Sequence, residues 1–267
     1  MRSVGVAAIL GELRSVGQTV REELEPPRVG PIGVSGVLAE QLAKQLGAGA
    51  APGSVMVLAG PPPANTSALV HVIAGDPSAD DVELVRTATT NGVAVVIVEL
   101  WPQQDWTRPF VLSPFVVECR AGEGFPIREI ADRIAEATED SAALAAAVPA
   151  IRDAVWSGVV KQSVIRSALI ALAADRYGAS RPLISLEQVR MTGRLRRMSS
   201  AEELAEDRAM LAGTAAAVIA SGFAFRHVAR GARGFLPDPL AHAAVAAGGT
   251  LLLARALRLL EARERQG

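Results

Sequence analysis

The spacing of hydrophobic and polar positions changes along the chain. Between residues 4 and 24, apolar side chains recur at helical spacing, and the EPPRVGP segment ends this first predicted helix. A second helical stripe is predicted from Val34 to Leu46, with GPIGVSG (30–36) as the turn before it. From residue 54 onward, short apolar runs bounded by Gly and Pro replace the helical spacing, which indicates buried strands.

Four of these runs predict strands, and helices are predicted after the second run and after the fourth. Ser78 is the expected N-cap of a helix that ends at Asn91-Gly92, and Pro126 is expected in the first turn of another helix. Strands that alternate with helices predict a parallel, helix-covered sheet over residues 30–137. The four runs are SVMVLA (54–59), ALVHVIA (68–74), VAVVIV (93–98) and FVVEC (115–119).

After residue 140 the strand patterns end, and the rest of the chain predicts helices over 141–178, 183–198, 200–230 and 239–265. Two stretches without charged residues, 210–225 and 239–254, are shorter than the ~20 apolar residues that span a bilayer. Their small residues would allow close approach of two helices in a membrane or in a soluble hairpin. We expect a buried helical hairpin, with membrane insertion or surface embedding as the alternative.

Charge is distributed unevenly between the two halves of the chain. Residues 1–140 carry 10 basic and 18 acidic residues, a net charge of −8, whereas residues 141–267 carry 17 and 10, a net charge of +7. Opposite charges favour two domains that dock on each other, or a basic half that faces an anionic surface. The single cysteine, Cys119, and the absence of a signal-peptide pattern predict a cytoplasmic protein.

No catalytic, metal or cofactor site is predicted from the motifs. The glycines of GPIGVSG have neither the lysine of a phosphate-binding loop nor the spacing of a dinucleotide fingerprint. They are interpreted as a plain turn, with a vestigial phosphate loop as the alternative. The three histidines are scattered, and local spacing suggests neither a Ser-His-Asp nor a Cys-His arrangement.

Residues 54–137 resemble the second half of an Era/TrmE-type small GTPase domain. MVLAGPPP (56–63) falls where that family has its D-x-x-G turn, VVIVELW (95–101) where it has N-K-x-D, and CRAGEG (119–124) where it has the S-A-x-x-G-x-G turn. Ala59-Gly60 and Glu99-Leu100-Trp101 replace the polar residues of the first two motifs. The resemblance therefore implies a P-loop GTPase-like α/β domain that has lost its nucleotide.

The second half of the chain resembles the YcjF-like helical domain that often follows such GTPase domains. The shared features are a Q-x-x-M helix (Gln188, Met191), a G-F-x-x-R-x-x-A-R run that begins at Gly222, and an A-x-x-G-T helix (Gly249, Thr250). The hydrophobic pattern and the resemblance together predict an N-terminal helix (1–27), a degenerate GTPase-like α/β domain (28–140) and an all-α YcjF-like domain with a terminal hairpin (141–267). The family includes membrane proteins.

These patterns together predict a non-catalytic pseudo-GTPase that acts as a regulatory or scaffolding interaction protein. Candidate interaction residues are Arg226, Arg230 and Arg233 for an anionic surface, and Trp101 and Trp106 for a protein partner or a second copy. The alternatives are a membrane-inserted YcjF-like protein and an active nucleotide-binding enzyme with an unorthodox loop. Too few aromatic residues accompany the basic clusters for nucleic-acid binding. A position at the inner face of the cytoplasmic membrane is the alternative to a freely cytoplasmic one.

Overall fold

Five parallel strands form one sheet in the order β2-β1-β3-β4-β5. The computed structural model of the chain describes residues 29–102, 115–174, 180–198 and 238–264. The sequence prediction of a parallel α/β arrangement followed by helices is confirmed at this level. The strands are β1 (Ile32–Gly36), β2 (Val55–Val57), β3 (Ala68–Ala74), β4 (Ala94–Leu100) and β5 (Val116–Cys119).

Helices join β1 to β2 and β3 to β4, and further helices follow β5. They are α1 (Ala39–Leu46), α2 (Ala79–Thr90), α3 (Ile127–Ala137), α4 (Ser141–Ala147), α5 (Arg152–Ala174), α6 (Ser180–Arg196) and α7 (Asp238–Glu264), with a short 3-10 turn at Pro149–Ile151. The chain forms two compact units, Pro26–Gly158 and Met1–Glu25 with Val159–Gly267. We call them the sheet unit and the C-terminal unit.

The predicted helix from Val34 to Leu46 is wrong in its first part. Residues 32–36 form β1, which pairs with β2 on one side and β3 on the other, and only 39–46 are helical. Ile32 and Val34 are fully buried, as expected for a strand inside a parallel sheet. A Cβ atom at Gly33 would lie 2.3 Å from Leu58 Cδ1, so a larger residue there requires the Leu58 side chain to move.

The sheet has its topological switch point between β1 and β3. From β1 the chain crosses outward to β2, and from β3 it proceeds in the opposite direction to β4 and β5. Ligands of doubly wound sheets bind at the carboxyl ends of the strands beside such a point. The connections that follow β1 and β3 therefore lie where this type of sheet binds ligands.

The start of α2 is as the sequence predicts. Ser78 is the N-cap, and its side chain and that of Asp81 form a reciprocal capping box, while Asn91 is the C-cap. One face of the sheet packs on this helix through Leu69, Ile73 and Val95, among other buried residues. His71 and Ser35 share this face, because side chains alternate along a strand and the two residues are register partners.

The sheet unit continues past residue 140. The Ala51 amide donates to the Ala147 carbonyl oxygen at 2.9 Å, which ties the end of α4 to the loop before β2. Leu144 and Ile151 are fully buried. The predicted helices over 4–24 and 200–230 lie outside the described residues.

Candidate functional site

A buried hydrogen-bond chain links β1, β3 and α2 at the switch point. Ser35 Oγ lies 2.8 Å from His71 Nδ1, and His71 Nε2 lies 2.8 Å from Asp81 Oδ1. Ser35 and His71 are 3% and 2% exposed. The three residues are far apart in sequence, and local spacing alone did not predict their association.

Asp81 is held as an anion by its neighbours. Its Oδ2 atom accepts from the Ser78 amide at 2.8 Å and from the Ser78 hydroxyl at 2.7 Å. Partial burial by itself raises the pKa of Asp81, but the hydrogen bonds from Ser78 and His71 outweigh burial, so that the pKa lies below its ordinary value. In the neutral form of the ring, His71 Nε2 then donates to this carboxylate and Nδ1 accepts from Ser35.

The Ser35–His71–Asp81 chain has the composition of a catalytic triad, in which a histidine takes the proton of a serine nucleophile. Here the serine lies within a paired strand and its side chain is buried. The observed arrangement instead satisfies three polar groups beside the core and anchors the first turn of α2 to the central strands.

Exposed apolar side chains lie at the carboxyl ends of β1 and β4. Val37 and Leu38 form the turn between β1 and α1 and are 45% and 47% exposed, and Trp101 directly follows β4 and is 52% exposed. Leu38 (φ 56°) and Trp101 (φ 54°) are, among the residues that the structure describes, the non-glycine residues with positive φ. We call Val37, Leu38 and Trp101 the apolar edge.

Backbone contacts hold both strained residues in place. The Trp101 amide donates to the Cys119 carbonyl oxygen at 2.7 Å, and the Leu42 amide donates to the Leu38 carbonyl oxygen at 3.1 Å. A left-handed conformation costs a non-glycine residue about 1–2 kcal/mol, and such strain is concentrated at functional sites. The apolar edge therefore combines exposure, strain and the position where this sheet type binds ligands.

Acidic residues are exposed on the segments that follow β1 and β3. Asp76 lies in the connection after β3, Asp80 in the first turn of α2, and Glu40 in the first turn of α1. Glu123 and Arg120 are exposed after β5. The sheet unit has 15 acidic and 8 basic residues, a net charge of −7.

Two residues near the end of the sheet are buried. Glu99, expected at the end of a strand, lies within β4 and is 2% exposed, so Trp101 rather than Glu99 faces solvent. Burial, and to a smaller extent the negative charge of Glu123, raises the pKa of the Cys119 thiol. A raised pKa keeps a thiol protonated and unreactive, which fits the core position of Cys119.

The C-terminal unit contains a second buried polar cluster. Gln188 Nε2 donates to Thr250 Oγ1 at 3.2 Å, and Thr250 Oγ1 lies 3.1 Å from Ser167 Oγ. Ser163 donates to Glu187 Oε1 at 3.0 Å. These contacts join α5, α6 and α7. Gln188 and Thr250 belong to the motifs singled out in the sequence, and the structure brings them together as packing contacts between helices.

Large apolar side chains of the same helices face outward. Ile165, Leu169 and Leu172 form one exposed stripe of α5, at 50%, 58% and 40% exposure. On α7, Leu251 and Leu252 are exposed, whereas the small residues Ala243, Ala246 and Ala254 are buried. Within the described residues, one segment, Leu240–Leu259 of α7, is long and apolar enough to cross a membrane, a property that core helices of soluble proteins share.

The structure describes only one of the five predicted interaction residues. Trp101 is exposed at the carboxyl edge of the sheet, whereas Trp106, Arg226, Arg230 and Arg233 lie outside the described residues. In the described ranges, no group of three or more His, Cys, Asp or Glu side chains is arranged to hold a metal ion.

Comparison with known proteins provides no relative. No protein-family model matches the chain, and neither a curated protein nor a solved structure matches it. The resemblance to GTPase and YcjF-like domains therefore stays a prediction. The functional proposal rests on the positions and exposure of the residues described above.

Proposed function

We propose that the protein is a non-catalytic, pseudo-GTPase-like regulatory or scaffolding protein that binds a protein partner through its apolar edge. The turn after β1 is the observation that carries this proposal. A phosphate-binding loop needs a glycine-rich segment between strand and helix, a lysine and a hydroxyl. Here the two residues Val37 and Leu38 join β1 to α1 and expose apolar side chains.

Trp101, the residue of the apolar edge that follows β4, supports the same function. In the resemblance, Glu99-Leu100-Trp101 takes the place of the guanine-reading motif. Glu99 is buried, and an exposed indole follows β4. Exposed tryptophans are favoured at protein interfaces, because they bury a large area with few rotatable bonds. A partner surface is a better match to this edge than a nucleotide.

A membrane surface is the second element of the proposal. The exposed apolar stripes of α5 and α7, with small and polar residues between the helices, correspond to the packing of helices in lipid. The amphiphilic C-terminal unit would hold the sheet unit at the inner face of the cytoplasmic membrane. A fully inserted protein is the alternative.

Hydrolysis is the alternative suggested by the composition of the Ser35–His71–Asp81 contacts, and the burial of Ser35 argues against it. Hydrolysis would require the protein to open enough around Ser35 to expose its hydroxyl. A fluorophosphonate probe that labels wild type but not Ser35→Ala would support it. We expect no labelling of either protein, since Ser35 is 3% exposed.

In-cell photocrosslinking tests the partner-binding proposal. A photoreactive phenylalanine analogue is placed at Leu38, at Trp101, and at the exposed control position Glu139 in the turn after α3. We expect adducts of the same defined mass from positions 38 and 101 and none from 139. Equal yields from all three positions, or no adduct from the two edge positions, would overturn the proposal.

A further inference from the structure

We propose that the apolar edge binds a cationic amphipathic helix of the partner, with its apolar side chains on Leu38 and Trp101 and its Arg or Lys side chains against Asp76 and Asp80. This inference rests on the proposed function and specifies the chemistry of the partner. It commits to a protein helix; a lipid surface or a nucleotide at this edge would be a different result.

Strand order places the acidic connection between the two apolar positions. Leu38 follows β1, Trp101 follows β4, and β3 lies between these strands, so that the segment from Gly75 to Ser78 emerges between them. Neighbouring strands are about 4.8 Å apart, which separates β1 from β4 laterally by about 10 Å. Two turns of helix rise by about 10.5 Å, so apolar residues seven positions apart match this spacing.

The negative charge near the apolar edge favours a positively charged partner. Asp76 is exposed within this connection, Asp80 is exposed in the first turn of α2 directly after it, and Glu40 is exposed two residues after Leu38. The net charge of −7 on the sheet unit adds a long-range attraction for cations. An acidic rim around apolar side chains is complementary to a helix that carries Arg or Lys beside its apolar stripe.

Trp101 can contact both the apolar side chains and the Arg or Lys side chains of the partner helix. Its indole offers an apolar surface and a π-face over which an Arg or Lys side chain can stack. The hydrogen bond from its amide to Cys119, at 2.7 Å, fixes the backbone that carries the ring. A residue fixed in this way loses little conformational freedom when the partner binds.

Fluorescence anisotropy with the full-length protein tests the inference. The probe is a labelled 18-residue helical peptide with Leu at positions seven apart and Arg beside them. One matched peptide has Glu in place of Arg, and another has Ser in place of Leu. We expect binding of the Leu/Arg peptide that is at least about tenfold tighter than either matched peptide and weakens with added salt.

Variants of the protein locate the contact. We expect Trp101→Ala to weaken binding of the Leu/Arg peptide at least about tenfold, and Trp101→Phe to weaken it less. Asp76→Asn with Asp80→Asn should weaken it about three- to tenfold and reduce its salt dependence. Asp76→Asn alone leaves α2 unaltered and should give part of this effect, and Glu139→Gln should change affinity less than about twofold.

The outcomes separate this inference from the function on which it rests. Equal binding of the Arg and Glu peptides, or no effect of the Asp76 and Asp80 substitutions, overturns the cationic partner and leaves an apolar partner site in place. Absence of any peptide binding, while positions 38 and 101 still crosslink in cells, also overturns only the inference. Loss of both peptide binding and crosslinking overturns both.

Discussion

His71 Nε2 lies 2.8 Å from Asp81 Oδ1, which connects the central strand β3 to the first turn of α2. The same ring contacts Ser35 of β1 through Nδ1. One buried side chain thus fixes the two strands of the switch point and the helix that follows them. The connection that carries Asp76 runs from the end of β3 to this anchored first turn of α2, so the core restricts its position at the carboxyl edge.

Asp81 should make the stability of the protein sensitive to acid. Its pKa is lowered in the folded state, so it contributes stability above the pKa of the unfolded chain and loses it as pH falls through the folded pKa. Asp81→Asn should lower the free energy of unfolding at pH 7 by about 1–2 kcal/mol. The difference from wild type should shrink below about pH 4.

Urea denaturation over a series of pH values measures this difference, with Asp80→Asn as the control. Asp80 precedes Asp81 on the same helix and is exposed. Its substitution should cost less than about 1 kcal/mol through the helix dipole. If the Asp81→Asn deficit grows toward acid pH, the proposed hydrogen-bonded carboxylate is wrong.

Gly36 should be indispensable at the end of β1. Its φ is +91°, and a Cβ atom there would lie 2.0 Å from the Val72 carbonyl oxygen. Gly36→Ala should therefore lower the free energy of unfolding by more than about 2 kcal/mol. Gly53→Ala, with φ +77° but nothing within 4 Å, should cost only about 1 kcal/mol in the same thermal or urea unfolding experiment. Equal costs would contradict the close approach to β3.

The parts of the fold that the sequence predicts are those determined by local pattern. The strand over 68–74 and the capping box of Ser78 and Asp81 are confirmed, because apolar runs and cap residues are local signals. Strand β1 was missed, because the glycines of IGVSG (32–36) are typical of a turn. Only pairing with β2 and β3 makes that segment a strand, and a single segment carries no information about its partners.

The candidate site was predicted only in part for the same reason. Trp101 was identified at the end of a predicted strand, which is a local position. The contact between Ser35 and His71 spans 36 residues and depends on the register of two parallel strands. One signal was available: a histidine inside an apolar strand must find a hydrogen-bond partner when it is buried. The strand order needed to name that partner could not be obtained from spacing.

Leu38→Gly should separate stability from partner binding. The substitution relieves a backbone with φ 56° but makes the unfolded chain more flexible, so the free energy of unfolding should change by less than about 1 kcal/mol. The variant should lose most of the crosslinking from position 101, because Leu38 is half of the proposed contact. Thermal unfolding and crosslinking yield measure the two properties. A large loss of stability with unchanged crosslinking would show that Leu38 is structural.

The exposed apolar side chains of α5 and α7 should bind the protein to the membrane surface. We expect the wild type in the membrane fraction and its release by carbonate washing, since a surface-bound helix inserts only its apolar face. Leu169→Gln with Leu252→Gln removes two side chains that are each 58% exposed and should shift the protein to the soluble fraction. Retention after carbonate would indicate insertion, and a wholly soluble wild type would contradict the membrane proposal.

We propose that the turn at the end of β1 binds a protein partner and not a nucleotide. Gly33 is unsuitable for a test by mutation, because it is buried within β1, where a Cβ atom would meet the Leu58 side chain. Leu38→Asp is better, since it places a negative charge at the start of α1, where a phosphate would have to lie, in a turn that is exposed.

Calorimetric titration of the full-length protein with GTP and with ATP, each with Mg²⁺, is the most direct measurement. We predict no saturable heat up to millimolar nucleotide for wild type and for Leu38→Asp, because the two-residue turn after β1 supplies neither a lysine nor a glycine-rich loop to hold phosphate. Micromolar binding by wild type that is lost in Leu38→Asp would contradict the account and make the protein a nucleotide-binding member of its fold class.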